Sequence, residues 1–483
     1  MEYPKEEHTG LGSAGKIHFE ISYKDKERVL YQCRDKECHW RLRANCTQEG
    51  DIEITVLENI HTCIAPLVSG SMASNQKWLQ AELPRIMEVT RTTKPQHIVD
   101  LVRVQFGEKI DYQVALLARN ALVTDSLVSH RRSFQQLPSF LQAIKDTNPD
   151  TYTHLALSNN RFHRLFICPV TSRTSFNFCR KFIAVDGTFL KGRFIQTLLL
   201  ATTTDANNNI LLLAWGIVES ENVESWSYSL NHLMLAIPEI LIQHPPTTLI
   251  ADRDKGLSVA IATYGSQVVP TYCCFHLKEN FTTKHGRGLA DNFWRIARAI
   301  DHYTFTYELQ QLQQHNQAAA TYLAEIPKEL WVTAYFPGRR YNQDTSNIVE
   351  RVNAEFKSDR ELSIIGLLSS LWHKTMNTRY SRQQQADKHQ GDFTPWTLQQ
   401  VQKLQITVRM HQVEMSSILE GRVTEGRQQL ALQHFVDLHH HTCTCRVYQD
   451  LGLPCHHALA CILHIHRNPL LYIPDDLSLH TWR

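Results

Sequence analysis

Long hydrophobic runs are missing from this 483-residue chain. No stretch reaches the roughly 18 apolar residues that a membrane-spanning helix needs, so no such helix is expected. The opening residues, MEYPKEEHTG, contain no apolar core, which predicts no secretory signal. Excess charge is missing too: 50 Lys and Arg against 48 Asp and Glu leave +2. Bulk charge therefore announces no nucleic-acid partner, and any basic surface has to be local. Cysteine, at 12 residues, is too sparse for a disulfide scaffold. The cysteines fall in groups with histidine neighbours, which in a reducing compartment points to metal binding. Together these absences predict a soluble intracellular protein. What is present is an ordinary globular balance, 42% apolar and 20% charged. That is enough for a buried core and, at this length, for two to four folding units.

The chain opens on a polar stretch. From Ile17 it alternates with period two through IHFEISY, VLYQC, HWRLRANC and DIEITVL, which predicts four strands. Two close pairs frame them, Cys33 with Cys38 and His61 with Cys63. Four sulfur and nitrogen donors in two pairs suit a tetrahedral Zn²⁺, and so small a sheet needs a staple. Cys46 is left over. The pattern over 16–66 is similar to WRKY/FLYWCH-like zinc fingers. Lys24, Lys26, Arg28, Arg34, Arg41 and Arg43 offer phosphate contacts, but acidic residues are interleaved with them. Residues 64–75 read as a linker, and 76–150 as helices that either pack together or enter a DNA groove.

The centre is KFIAVDGTFLKG, residues 181–192. A short buried strand ends in Asp186, a poor place for packing and a good one for a metal ligand, unless Asp-Gly simply makes a turn. TLLLATTTDANNN and ILLLAWGIVES predict two antiparallel strands around an Asn-rich turn. NVESWSYSLNHLMLAI predicts a helix, TTLIADRDKG a strand ending in Asp252, and TYCCF a last strand before His276. A three-strand meander followed by helix, strand, helix, strand is the element order of an RNase H-like α/β fold. That order predicts an α/β core over 160–360 with a helical insertion at about 285–340. It puts the two aspartates, 66 residues apart, side by side on central strands. TSNIVERVNAEFK predicts a helix capped by Thr345 or Ser346, with Ile348, Val352 and Phe356 as its apolar stripe. Glu350 lies off that stripe and is the candidate third carboxylate. Glu355, five positions on, points about 140° away. Asp205 and Asp254 read as turn or neighbouring acids. Trp226 reads as a core residue or a base-stacking one.

Residues 361–435 are expected to be helical. The segment 436–470 holds CTC at 443–445 and GLPCHH at 452–457. Cys443, Cys445, Cys455 and His457 make a second four-donor zinc set on a knuckle, a turn and a helix start. His456 and Cys461 are the nearby decoys.

These motifs carry a resemblance. DGTFLKG, TTDANNN, AWGIVESENVESW, IADRDKGL, CCFHLKEN and TSNIVERVN, followed by CTC…GLPCHH, make the chain similar to Mutator-like (MULE-type) DDE transposases. The closing motif resembles a SWIM-type zinc finger. The resemblance implies a catalytic set of Asp186, Asp252 and Glu350 holding two Mg²⁺ or Mn²⁺ ions, with Asp186 bridging them. It maps the family's Cys-x-x-His signature onto Cys273 and His276, with Cys274 an extra neighbour. It implies metal-dependent cleavage at transposon ends and attack of the freed 3′-hydroxyl on target DNA. Structural Zn²⁺ in both fingers, DNA as partner, a homo-oligomer and a nuclear location follow. The alternative is a domesticated zinc-finger DNA-binding transcriptional regulator derived from such an enzyme.

Overall fold

The computed structural model describes residues 19–25, 27–33, 37–47, 51–58, 76–90, 93–106, 110–124, 126–192, 194–253, 255–425 and 432–483. The chain divides into two compact units, Met1–Thr124 and Asp125–Arg483.

In the first unit the period-two segments form an antiparallel sheet in chain order: β1 (Phe19–Lys24), β2 (Arg28–Cys33), β3 (Arg41–Cys46) and β4 (Ile52–Glu58). Its basic residues are partly spent on neighbours, since Arg41 pairs with Glu58 at 2.8 Å and Arg28 with Asp25 at 3.3 Å. Three helices follow, Gln76–Ile86, Pro95–Phe106 and Tyr112–Thr124. Leu79, Leu83, Ile98, Val102, Ala115 and Ala118 make their shared core.

The second unit is built on seven strands: β5 (Tyr152–Ser158), β6 (Arg161–Cys168), β7 (Phe182–Phe189), β8 (Thr197–Thr204), β9 (Ile210–Val218), β10 (Thr247–Ala251) and β11 (Val268–Tyr272). Their order is β11-β10-β7-β8-β9-β6-β5. β10 runs parallel to both β7 and β11, and the other pairs are antiparallel. The expected meander and the adjacency of β7 to β10 are both present. β5 extends the sheet before residue 160, at an edge the sequence reading did not anticipate. It joins β6 through Asn159 and Asn160, both left-handed (φ 50° and 58°), the conformation a tight type I′ hairpin demands.

Strand alternation sorts the side chains onto two covered faces. Ile183 and Val185 pack with Trp226, Leu230 and Leu233 of the helix Val223–Ala236 and with Leu257 and Ile261. Trp226 is therefore core and has no face free to stack on a base. Phe182 and Ala184 point the other way, against Val349 and Val352 of the helix Asn347–Glu355 and Leu367 and Leu371 of the helix Ile364–Lys388. Leu137 and Leu141 cover the same face, so the helix Ser126–Thr147 packs on this sheet. Truncating a fully buried aromatic such as Phe182 to Ala is expected to cost about 3–5 kcal/mol. Between β11 and the helix Asn347–Glu355, the helices Ala290–Ala297, His302–His315 and Gln317–Ala324 gather around Phe293, Leu312 and Trp331 as a separate core.

The expectation of an all-helical 361–435 is corrected. Helices Ile364–Lys388 and Pro395–Thr407 are there, but β12 (Gln412–Met415), β13 (Glu420–Thr424) and β14 (Gln433–Asp437) follow. With β15 (Thr442–Cys443) they form an antiparallel sheet under the helix His456–His464. The physical reason is alternation: Val413 and Met415, Gly421 and Val423, and His434 and Val436 turn inward, while their neighbours, polar except for the exposed Phe435, turn out. Buried histidine in place of an aliphatic residue hid that pattern.

Candidate active site and metal centre

Topology brings the three acids to one place. Asp186 lies on β7 two residues after Ala184, so it shares the face of Phe182 and Ala184, the face covered by the helix carrying Glu350. β10 pairs Ile250 with Ala184. Asp252 follows β10 directly, two residues past that pair as Asp186 is on β7, and its charge acts on the Asp186 carboxyl. Glu350 arrives from the covering helix, in its first turn.

His276 stands among them. Its Nδ1 is 3.9 Å from Asp252 Oδ1 and its Nε2 is 3.5 Å from Glu350 Oε1. The hydrogen bond with Cys273 lifts this imidazole to about 9 against the opposing effect of burial, and the charges of Cys273, Asp252 and Asp186 add to the lift. Burial pushes the Asp186 carboxyl up to about 6. The His276 charge and the Gly187 N–H oppose that, while Glu350 and Asp252 add to it. A buried carboxyl that responds to two other carboxylates is the electrostatic signature of a shared site.

Cys273 builds the junction that keeps these elements together. Its N–H donates to Ala251 O (2.7 Å) at the end of β10, and its Sγ accepts from the Ser346 N–H (3.1 Å) at the start of the Glu350 helix. Ser346 occupies the N-cap position, yet its own side chain makes no capping bond. Burial raises the Cys273 thiol, but hydrogen bonds from His276 and Ser346 outweigh it and leave the thiol below its ordinary value. Cys274 is a plain core thiol against Trp331 O, pushed up to about 12 by burial.

Two residues of this site escaped the sequence reading. Asn353, one turn beyond Glu350 and buried, donates from Nδ2 to Asp186 Oδ2 at 3.1 Å. The i, i+3 spacing from Glu350 was the available signal. Glu221 lies over Gly187: a Cβ there would sit 2.9 Å from its carboxylate, so the glycine permits the approach. Asp205 is a turn residue, accepting from the Asn209 backbone N–H and the Trp482 indole. Asp254 lies outside the described residues.

Glu350 Oε1 is buried without a hydrogen-bond partner and faces His276. Held only by its ion-pair contact with His276, this oxygen is the kind of donor that a hard divalent cation such as Mg²⁺ or Mn²⁺ takes.

The second centre is local. Cys443 Sγ and Cys455 Sγ lie 3.6 Å and 3.9 Å from His457 Nδ1. With Cys445 Sγ, all four donor atoms fall within 4.8 Å of one another, and all four residues are buried. Tetrahedral Zn²⁺ with bonds of about 2.0–2.3 Å needs donor separations of roughly 3.5–3.8 Å, so the set fits a closed structural site. Arg446 in the left-handed region (φ 64°) and the Gln449 side chain, bonded to both the N–H and the C=O of Cys443, shape the knuckle. Cys455 caps the helix His456–His464 by accepting from the Ala458 N–H. Hydrogen bonds among the three thiols hold Cys445 below its ordinary value and Cys443 and Cys455 above theirs. His456 pairs with His411 and Cys461 is a buried core thiol, so neither joins the set. In the N-terminal sheet Cys33 is buried and its N–H donates to Trp40 O (3.0 Å), while Cys38 is partly exposed. His61 and Cys63 lie outside the described residues.

A family model described as MULE transposase domain matches residues 182–280. The match supports a Mutator-like transposase relationship and a transposase-related function. It begins at β7 and ends within the helix Cys274–His285. It therefore spans Asp186, Asp252, Cys273 and His276, and stops short of Glu350. No curated protein matches the chain. No helix among the described residues is long and apolar enough to cross a membrane.

Proposed function

We propose that this chain is a DDE-type DNA transposase with an RNase H-like core, acting by divalent-metal-dependent phosphoryl transfer on DNA. The observation that carries the reading is the convergence of Asp186, Asp252 and Glu350, from two strands and a distant helix, on His276. Asp186, Asp252 and Glu350 would hold Mg²⁺ or Mn²⁺. Bound there, the ions would neutralise phosphate charge and make water or a 3′-hydroxyl a stronger nucleophile. The chain's own part is to preorganise the donors. Asn353 fixes the Asp186 carboxylate, Cys273 locks the end of β10 to the start of the Glu350 helix, and His276 supplies positive charge among the acids. The Cys443, Cys445, Cys455 and His457 set would be a SWIM-type structural zinc site, and Cys33 and Cys38 half of an N-terminal one. Transposon terminal repeats and target DNA are the proposed partners. A homo-oligomer that holds two ends together, located in the nucleus, completes the proposal.

The test is end cleavage and strand transfer by purified protein on DNA carrying candidate terminal repeats, with Mg²⁺ or Mn²⁺. Asp186→Asn is expected to lower both steps by on the order of 10²–10³-fold or more while DNA binding persists. Wild-type protein that binds such DNA and never cuts it would replace this reading with the alternative, a DNA-binding regulator.

A further inference from the structure

We infer that Glu425 is the positioning residue of the C-terminal metal centre, fixing the ring and tautomer through which His457 meets its cation; this rests on the zinc reading above. His457 turns Nδ1 toward Cys443 and Cys455, so the nitrogen left for a proton is Nε2. That nitrogen donates to Glu425 Oε1 at 2.6 Å. A ligating imidazole needs such an acceptor on its far side, because the hydrogen bond holds the ring in plane with the metal and makes the ligating nitrogen a better donor.

The chain distance makes the contact informative. Glu425 follows β13, 32 residues before His457, and reaches it across the sheet. Its own N–H is tied to Leu432 O at 2.9 Å. The rings of His434 and His456 pack against the imidazole, with centroids 4.0 Å and 3.8 Å from that of His457. His457 is thus packed among imidazole rings and anchored at Nε2.

A second ion on Glu425 is the competing use of this cluster. Glu425 Oε1 also lies 3.7 Å from His434 Nε2 and 3.8 Å from His456 Nε2. Neither is within hydrogen-bond reach, whereas the bond from His457 is short. His434 Nδ1 is engaged by Thr444 Oγ1 and His456 Nδ1 by His411. The geometry thus favours one committed partner for Glu425.

The experiment uses the full chain, loaded with Zn²⁺ or with Co²⁺ as a spectroscopic probe. Wild type, Glu425→Ala, Glu425→Gln and Cys445→Ser are compared, the last marking what this centre contributes to the spectrum. Zinc affinity of this centre, by chelator competition, is expected to fall 10–100-fold in Glu425→Ala. Glu425→Gln, which keeps an acceptor without the charge, should recover part of that loss. The thiolate-to-Co²⁺ charge-transfer band should keep its wild-type intensity in both variants, while the ligand-field bands shift. Unchanged affinity and spectrum in Glu425→Ala would overturn the inference. So would loss of a separate Co²⁺ ion without thiolate absorption, which would make Glu425 a ligand. If wild type and Cys445→Ser have the same spectrum, the zinc reading itself fails, a different result from either.

Discussion

The two centres of the second unit gather their donors in opposite ways. The Cys443–His457 set comes from one 15-residue segment, is buried throughout, and is already at coordination spacing. The acid set comes from residues 186 to 350 and is half-exposed at Asp252 and Glu350, with a histidine standing between its members. The first is a closed site that suits a structural ion. The second is open on one side, as a site must be if a phosphate is to enter. Local donors can stiffen a fold, whereas distant donors require the fold to exist first.

Removing each kind of ion separates the two centres most directly. Stripping zinc, or Cys455→Ser, is expected to unfold the module of β12–β15 and the helix His456–His464, because structural zinc is worth about 10–16 kcal/mol of apparent binding energy. Hydrogen exchange should show that module losing protection while β7 and β8 keep theirs. A protected module without metal would mean that the cluster is merely packed.

The acid set should behave the other way and gain stability when a charge is removed. Asp186 titrates at about 6 in the fold against an ordinary value of 3.8. Its charged form is therefore disfavoured by folding. The penalty is absent below about 3.8 and complete above about 6, where it is on the order of 3 kcal/mol. Ion-free wild type should lose stability between those pH values, and Asp186→Asn should not. His276, raised to about 9 from 6.5, adds stability that is present below 6.5 and is lost as pH rises through 9. Denaturant unfolding at pH 4, 6, 8 and 9.5, with and without Mg²⁺, measures all of this. Mg²⁺ should erase the difference between Asp186→Asn and wild type at pH 8. Equal ion-free stabilities at pH 8 would remove the case for a crowded acid site.

Asn353→Ala sharpens the contrast on a smaller scale. Losing one hydrogen bond to a charged carboxylate should reduce DNA cleavage about tenfold or more. Thermal stability should stay near wild type, so a variant that unfolds would mark Asn353 as structural. Gly187→Ala should have a modest effect. The new methyl would come within 2.9 Å of the Glu221 carboxylate, which has to shift, at a cost of about 1–3 kcal/mol. A much larger shift in melting temperature would show that Glu221 is held in place.

Much of this was legible in the sequence. Cys443, Cys445, Cys455 and His457 could be read as one group because a knuckle, a turn and a helix start convert short spacing directly into proximity. Asp186 and Asp252 could be paired because the element order sets their strands side by side, although β7 does not end at Asp186 as expected but runs on to Phe189, paired with β8 throughout. Asn353 stayed hidden, since an Asn on a helix looks like any solvated polar residue until its neighbour is known. β5 and the strands from 412 to 437 were missed for a related reason: their inward positions carry His, Gly or Thr as often as Val or Leu. Glu425 had no signal at all, being a single acid 32 residues from its partner.

Short-range order in this chain came from residue type and spacing alone: the strand periods, the helix stripes and the thiol knuckle. Backbone sterics and hydrophobic periodicity act over a few residues and need no distant partner. The rest waited on the assembled fold: the register that aligns β10 with β7, the helix that delivers Glu350 and Asn353 to one face, and the placing of His276 among the acids. Those contacts join residues up to 167 positions apart, and only packing of the whole sheet and its covering helices decides which of them meet.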